Sequence, residues 1–542
     1  MGFIDDWSYI RTAQEFAQTG HFAYNGWATA MLGWQIPWAA FFLKIFGFSF
    51  TVARLAMLPI AFLTISLFHA ILLRFGISSR NAIFGALTLG LSPLFLPLAA
   101  SFMTDVSGLF IILLCLYLCQ RALSASTDRT ALLWLSAAAA SNVAGGTVRQ
   151  IVWLGALVMV PSTAWILRKR SHMLAAGAVL WLLSLAGILA SLHWWNSQPY
   201  SVPEHIIQGP LKLLMIAHLL TELIKTLLCL CLVLLPVLAA WLPQARTLPL
   251  RTRQIILATL IALAGWAIYM YSQGTLDFRV MPWLAHVIGT QSIFRSTGEM
   301  LGTRPVTLNL FARTAISLLV IVASMVLVLK TLQSGKAILL YRIRMSPHLL
   351  LLAPYTIAYL LLLTPRGTYS FIYDRYLLGI LPIAVMILLK MYEERIALRL
   401  PVLSYVTLLT FAIYTIAATH DWFALNRARI VAVQEIQALG IPASRIQAGF
   451  DYDGWTQITS ERSIAWDRVH LPPGTNIEYR AEQGLPPACI LNFAQYSPAV
   501  YPQYFVVFDE MPCLRPSHFP PVQYRTWLPP FWRRIYVQRR PE

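Results

Sequence analysis

About twelve apolar runs, each close to the roughly 17–25 residues that a helix needs to cross a bilayer, constrain this chain more than any other feature. They lie near residues 51–73, 81–100, 105–122, 130–148, 150–167, 173–193, 222–241, 254–272, 306–330, 347–364, 375–391 and 399–419. In hydrocarbon every backbone N–H and C=O must find a partner inside its own segment or barrel, so runs of this kind fold as helices. Only 12% of the residues are charged against 58% hydrophobic, about half the charge that a water-facing surface carries. The chain therefore reads as a polytopic membrane protein and not a soluble one.

The basic residues sort the loops. Arg74/Arg80, Arg121/Arg129, Arg168/Lys169/Arg170, Arg246/Arg251/Arg253, Lys330/Lys336/Arg342/Arg344 and Lys390/Arg395/Arg399 occupy every second loop, which marks those loops as cytoplasmic. The same placement accounts for the net charge of +18 without nucleic acid as a partner. Both termini then lie outside, together with residues 1–50, 101–105, 145–149, 194–221, 273–305, 365–374 and everything after 420. All the larger non-membrane pieces share one face, as an enzyme working at an outer membrane surface requires. The first residues lack a basic region followed by a short apolar run and a small-residue cleavage site, so a cleavable signal is not expected in them.

Residues 5–19 read as a short helix with Asp5 or Asp6 as cap, Tyr9, Ala13, Phe16 and Ala17 at helical spacing, and Gly20 as stop. Residues 34–47 are too short to span and carry Trp34, Trp38 and Lys44, so they read as an interfacial helix. From His420 the composition turns hydrophilic. A helix over Asp421–Leu439 and short β-like runs at 504–508 and 534–537, between Pro- and Gly-rich turns, predict a small α+β domain. The expected organisation is a membrane domain over 1–419, with 1–50 as its first external loop, and an extracytoplasmic domain over 420–542. Four cysteines (Cys115, Cys119, Cys229, Cys231) lie in apolar runs as packing residues. If the C-terminal region is outside the cell, Cys489 and Cys513 are available for a disulfide.

Several residues are candidates for chemistry, each with a plainer reading beside it. Asp5 and Asp6 are adjacent carboxylates that need a cation, a helix N-terminus or water to stay ionised together; they also suit a solvated helix cap. Asp105 opens a span at the outer boundary, where a carboxylate either caps the helix or faces a polar cavity. Arg149 lies on the same side and either snorkels to the interface or holds an anion. Asp374, Arg375 and Tyr376 stand at the outer end of a later run, as an aromatic belt with an ion pair or as a grip on a lipid phosphate, which the planar guanidinium matches. Arg279, Arg295, Arg304 and Arg366 are weaker candidates for that task. The histidines form no metal-ligand pattern, and no phosphate-binding glycine loop or serine-hydrolase elbow occurs. The run Phe450-Asp451-Tyr452-Asp453-Gly454-Trp455 suits a turn with a core aromatic, or a site for a sugar or peptide.

Taken in order, Asp5-Asp6-Trp7-Ser8-Tyr9, the helix ending at Thr19-Gly20, Gln35-Ile36-Pro37, Lys44-Ile45-Phe46-Gly47, Ala53-Arg54-Leu55, Thr104-Asp105 and Asp374-Arg375-Tyr376-Leu377-Leu378 with Pro382 resemble the GT-C membrane glycosyltransferases. The resemblance is strongest to the family 39 and aminoarabinose- and protein-mannosyl-transferase-like group, and it covers residues 1 to about 420. It implies transfer of a sugar from a polyprenyl-phosphate donor to a lipid, glycan or protein acceptor at the outer face of the cell (inner) membrane, usually with inversion. An acidic residue of the first external loop that activates the acceptor maps onto Asp5, with Asp6 in the neighbouring acidic position. The second-loop acid maps onto Asp105, and the late arginine facing the carrier phosphate onto Arg375. Arg149 and Arg279 are the further phosphate-binding candidates, and Tyr9, Asp374 and Tyr376 the substrate-binding ones. No nucleotide is expected, no metal ligands are assigned, and a divalent cation remains compatible. Members of the group carry a span ahead of the first acidic loop, whereas Asp5 here lies four residues from Met1; either that span is absent, which would expose part of the helix bundle, or, as is the expectation, the start is placed too far downstream, with about 20 apolar residues encoded in frame upstream. Two other classes fit less of the pattern. A transporter or flippase would use Arg54, Asp105 and Arg149 as intramembrane polar sites, but paired half-repeats are missing. A non-catalytic scaffold would use the 420–542 domain to hold a partner.

Overall fold

The computed structural model describes residues 1–203, 213–294, 300–333, 347–369, 371–472 and 484–541. It is a mainly helical bundle with a small sheet region near its C-terminus. All twelve apolar runs are helical, but they are not equivalent. Among the described residues, eight helices are long and apolar enough to cross a membrane: Phe50–Arg74, Thr104–Leu123, Met173–Ser197, Met215–Val233, Leu250–Ser272, Leu310–Leu332, Leu350–Thr368 and Val402–Gln437. This is a multi-pass membrane protein, with aliphatic side chains such as Ile255, Ile261 and Ile268 turned outward, where lipid and not water is their natural solvent.

The other four runs depart from the expectation of about twelve spans for local reasons. The 81–100 run breaks at Pro93 into Ser79–Gly90 and Phe95–Ala99, because proline removes a helical donor and clashes with the preceding turn. Asp128–Gly146 is 19 residues long but is diluted by Ser136, Ser141, Asn142 and two glycines. The 150–167 run opens as a 3-10 turn (Gln150–Trp153), passes through a π-helical turn (Gly155–Met159) and only then becomes α-helical over Val160–Ile166. The 375–391 run is a 3-10 helix over Asp374–Gly379 followed by Leu381–Arg395. Two of these irregular turns carry the candidate arginines.

The two ends of the bundle differ in charge and in partners. At one end the basic loops meet: Lys390 Nζ donates to Gly76 O at 2.8 Å, Asn81 Nδ2 donates to the Glu393 carboxylate at 2.6 Å, and Arg170 approaches Asp128 at 4.0 Å. At the other end lie Asp5, Asp105, Arg149 and Arg375. The 20-residue helix Thr104–Leu123 carries Asp105 in its first turn and Arg121 in its last, so the two ends are separated by about 30 Å at 1.5 Å per residue.

The C-terminal sheet is built from β3 (Ile446–Gln447), β4 (Tyr504–Val507), β5 (Arg515–Pro516), β6 (Val522–Arg525) and β7 (Trp532–Arg539), while β1 (Ile288–Gly289) and β2 (Ser292–Ile293) form a separate small hairpin. β3 runs parallel to β4, β4 pairs antiparallel with β7, and β5 and β6 both pair antiparallel with β7. The helix predicted over 421–439 is not separate from the last span; Val402–Gln437 is one unbroken helix. The sheet region also packs against the first loop. Trp7, Phe450, Ile458, Ile464, Phe505 and Val507 form one buried cluster with Trp27 at its edge, and Ile464 N–H donates to Asn25 O at 3.0 Å.

Cys489 and Cys513 form a disulfide across 24 positions of sequence, with the Cys489 side buried in that cluster. Closing a loop of this size restricts the unfolded chain by about 3 kcal/mol. Cys513→Ser should therefore lower the stability of the sheet region by about that amount, seen as faster proteolysis within 440–540 of the non-reduced protein. Equal cleavage rates in variant and parent would argue against that contribution.

Candidate active site

Asp5 and Asp6 are adjacent, but the helix that starts at Asp6 sends them in different directions. Successive side chains on a helix point about 100° apart. Asp6 turns inward and is fully buried. Its carboxylate takes Arg54 Nε at 2.8 Å and Nη2 at 3.1 Å, the Phe3 N–H at 2.6 Å and the Phe102 N–H at 3.3 Å. The Arg54 guanidinium is covered by the Phe3 ring at 3.3 Å. A carboxylate with four bonds and no exposure ties the first loop to the Phe50–Arg74 span and to the turn before Asp105. That is a structural post, and it is also where the Arg54 considered for a transport pathway is used.

Asp5 faces the other way. One carboxylate oxygen accepts the Trp27 indole N–H at 2.9 Å, and the other lies 3.6 Å from Arg375 Nη1. Its side chain keeps 20% exposure, so a second molecule can reach it. Arg375 stands between two acids, for its Nη1 is also 3.9 Å from Asp105 Oδ2. The other oxygen of Asp105 is paired with Arg149. Asp105 Oδ2 and Arg375 Nε are both buried and make no hydrogen bond.

Local structure explains why these side chains converge. Asp105 sits in the first turn of its helix, where the N-terminal dipole favours a negative charge. Arg149 is an extended residue (φ −159°) between Asp128–Gly146 and the 3-10 turn; the break is tight enough that a Cβ on Gly146 would sit 2.1 Å from the Trp153 ring. Arg375 and Tyr376 lie on the 3-10 turn Asp374–Gly379. That turn is pinned by Tyr359, whose hydroxyl donates to Tyr376 O at 2.7 Å, and by Gly379, where a Cβ would lie 2.4 Å from the Tyr359 ring.

Tyr376 is the floor of a cationic cluster. The guanidinium carbons of Arg366, Arg149 and Arg375 lie 5.0, 5.2 and 5.7 Å from its ring centroid, within range of cation–π attraction. Arg149, Arg366 and Arg375 thus gather against one aromatic ring, with the carboxylates of Asp5 and Asp105 beside Arg149 and Arg375. Burial works against the charge of Arg375, and Asp105, Tyr376 and Asp5 outweigh it, so its pKa lies above the ordinary value. Tyr9 is buried beside the same group; burial first, and then Asp5, pushes its phenol up, so it stays a neutral donor. The cavity among Asp105, Gly108, Arg149, Tyr359, Arg375 and Gly379 is about 20 Å³, room for about one water.

The remaining candidates lie elsewhere. Asp374 is buried, and its carboxylate accepts the N–H groups of Val287 at 3.0 Å and Ile288 at 2.7 Å, clamping β1 to the 3-10 turn. Arg279 is exposed at the end of the turn Leu276–Phe278, and its carbonyl accepts the Trp283 indole N–H at 3.2 Å. Arg304 is buried against Trp422 at 5.0 Å, and donates to Ile293 O and Phe294 O. Arg295 lies outside the described residues. Among the described residues no group of three or more His, Cys, Asp or Glu side chains is placed to hold a metal. Trp27 and Tyr359 were missed by sequence reasoning; the signal for Tyr359 was a phenol in the middle of an apolar span, whereas nothing distinguishes Trp27 from its aromatic neighbours.

Asp374 carries a pH prediction. Burial pushes its carboxyl up from 3.8 to about 6, against the Ile288 and Val287 N–H groups that favour the charged form. A group that holds its proton more tightly folded than unfolded stabilises the fold at low pH, and that contribution is lost as pH rises from about 4 to about 6. Asp374→Asn should flatten this slope by on the order of 2–3 kcal/mol, measured as the difference in unfolding free energy between about pH 4 and pH 7. An unchanged slope would assign the pH dependence to other groups.

No protein-family model matches the chain, and no curated protein matches it in sequence. Two solved structures are similar to it. One is ArnT from Cupriavidus metallidurans bound to undecaprenyl phosphate, at 14% identity over 80% of this chain and 61% of that one, with a TM-score of 0.39. The other is the same protein in the apo state, at 15% identity over 72% of this chain and 73% of that one, with a TM-score of 0.31. The chain thus spans less than two thirds of the length of the first.

Proposed function

We propose that this protein is a GT-C-like glycosyltransferase of the cell membrane, transferring a sugar from a polyprenyl-phosphate donor to an acceptor hydroxyl at the outer face. The observation that carries the reading is the position of Arg375 between Asp5 and Asp105, residues that lie hundreds of positions apart in sequence. The outer placement rests on the opposite end of the bundle, where the basic loops gather.

In this reaction the acceptor oxygen attacks the anomeric carbon as the bond from that carbon to the phosphate oxygen breaks. The bonding pair leaves with the polyprenyl phosphate, and the acceptor proton passes to Asp5. A single displacement of this kind inverts the anomeric centre. Asp5 suits the base because one oxygen is fixed by Trp27 and the side chain keeps 20% exposure beside Arg375, and a positioned base contributes roughly 10²–10⁴-fold. Arg375 and Arg149 suit the leaving phosphate, since preorganised cations in a site poor in water stabilise charge as it develops. Asp105 holds both arginines in place, and Tyr9 and Tyr376 border the sugar. Residues 1–419 and 420–542 act together, because Trp27 joins the sheet cluster to the base.

The test is transfer of labelled sugar from polyprenyl phosphate by the purified protein in lipid, with the anomeric configuration of the product determined. Turnover with inversion is expected. Vectorial movement of the intact donor across vesicles, with no sugar transferred, would replace the reading with transport.

A further inference from the structure

The helix Val402–Gln437 carries an outward stripe of Val402, Val406, Leu409, Ile413 and Ile416, all exposed, at the alternating three- and four-residue spacing of one helix face. On a membrane-spanning helix that face meets lipid. The same spacing continues to His420, Ala424, Arg427 and Val431, and these four line one wall of a groove of about 550 Å³. The opposite wall is β6 with Arg525 and Trp527. The groove therefore opens on the lipid side of the helix, directly above the hydrocarbon.

Depth follows from helix geometry. Val402 to His420 covers about 27 Å of helix axis at 1.5 Å per residue, close to the roughly 30 Å of hydrocarbon, so His420 stands at the hydrocarbon boundary and the residues after it enter a headgroup layer about 5–7 Å thick. Trp527 stacks on His420 at 4.1 Å between ring centroids, which sets the tip of the β6–β7 hairpin at headgroup level. That tip, Trp527-Leu528-Pro529-Pro530-Phe531-Trp532, leaves Trp527 54%, Phe531 56% and Trp532 67% exposed. Hydrogen bonds hold it in that pose. Asp421 accepts the Trp527 N–H at 2.6 Å and the Leu528 N–H at 3.0 Å, Thr526 Oγ1 donates to Pro530 O at 2.6 Å, and Arg533 donates to Pro529 O at 3.0 Å.

We propose that this hairpin tip is a membrane-surface anchor: Trp527, Phe531 and Trp532 enter the headgroup region beside the exit of the last span, and Arg427 and Arg525 take anionic phospholipid headgroups in the groove behind them. Indole and phenyl groups with one wet edge belong at that depth. Arg427 stands two turns above His420, and helix side chains lean toward the N-terminus, here toward the bilayer. A basic side chain near an anionic surface gains attraction that decays within a Debye length. Because the tip is already held by Asp421, docking orders nothing further. The inference depends on Val402–Gln437 crossing the membrane and not on the proposed chemistry.

The test uses the full chain in phosphatidylcholine vesicles with and without phosphatidylglycerol. A spin label at Phe531→Cys, in a background with Cys231→Ala, is compared with one at Gln434→Cys, an exposed position about 21 Å further along the helix. The expected ratio of oxygen to nickel-chelate collisions is several-fold higher at 531 than at 434, and phosphatidylglycerol is expected to raise the thermal midpoint of the parent but not of Arg427→Gln/Arg525→Gln. A label at 531 as water-exposed as that at 434 overturns the anchor, as does one shielded from both reagents, which would mean a protein partner. An equal phosphatidylglycerol effect in parent and double variant, or none in the parent, overturns the headgroup site.

Discussion

Asp5→Asn should lower sugar-transfer turnover by about 10²–10⁴-fold, the range for losing a positioned general base, while donor binding changes little. The asparagine keeps the acceptor for Trp27 Nε1 and the volume of the side chain, so the loss would be one of proton acceptance. Asp6→Asn is the internal contrast. It faces Arg54 and not the cleft, so its effect should appear in stability and not in the turnover of the folded fraction. Arg375→Ala should reduce turnover by about 10²–10³-fold, the scale for removing one charge-stabilising donor, and Arg375→Lys should recover part of it, since lysine supplies charge without the planar fork. A fall in kcat together with kcat/KM would place Arg375 in transition-state stabilisation, whereas a raised KM alone would leave it a binding residue. Full activity of folded Asp5→Asn would remove the proposed base.

The second large effect concerns the fold. Arg54→Ala leaves the Asp6 carboxylate buried without its cation, and stranding a buried charge costs about 3–5 kcal/mol, a large share of the 5–15 kcal/mol that holds an ordinary domain together. The variant should lose its sharp thermal transition in detergent or aggregate on gel filtration. The double variant Arg54→Met/Asp6→Ala removes both charges and should recover part of the loss, because it strands no charge and leaves only the Phe3 and Phe102 N–H groups without their acceptor. A double variant as unstable as the single would show that lost packing of Arg54 on the Phe3 ring, and not the stranded charge, is what matters.

How far the chain was legible depended on whether the relevant physics is local. Helicity of the apolar runs follows from composition alone, because hydrocarbon allows no other way to satisfy the backbone. Which runs stay straight depended on finer marks. Pro93 was readable, but the 3-10 and π turns after Arg149 arise from packing that brings Trp153 onto Gly146, and no periodicity announces that. The candidate site was legible as a set: Asp5, Asp105, Arg149, Arg375 and Tyr376 were all named from their place at the ends of runs, and the structure brings them together. The division of labour within Asp5-Asp6 was not, since a one-residue step decides which carboxylate meets Arg54, a partner 48 positions away. Asp374 shows the same limit. It neighbours Arg375 in sequence, yet its N–H partners come from residues 287–288, and only the folded chain can say so.

The seam at residue 420, conspicuous in composition, is not a seam in the folded chain. Val402–Gln437 crosses it without a break, and the sheet cluster reaches back to enclose Trp7 and to border Trp27. The first loop and the C-terminal sheet region are thus packed as one unit. A chimaera that exchanged only the C-terminal region would give Asp5 a foreign neighbour through Trp27, so any change of acceptor brought in by a new C-terminal region must arrive with a matching first loop.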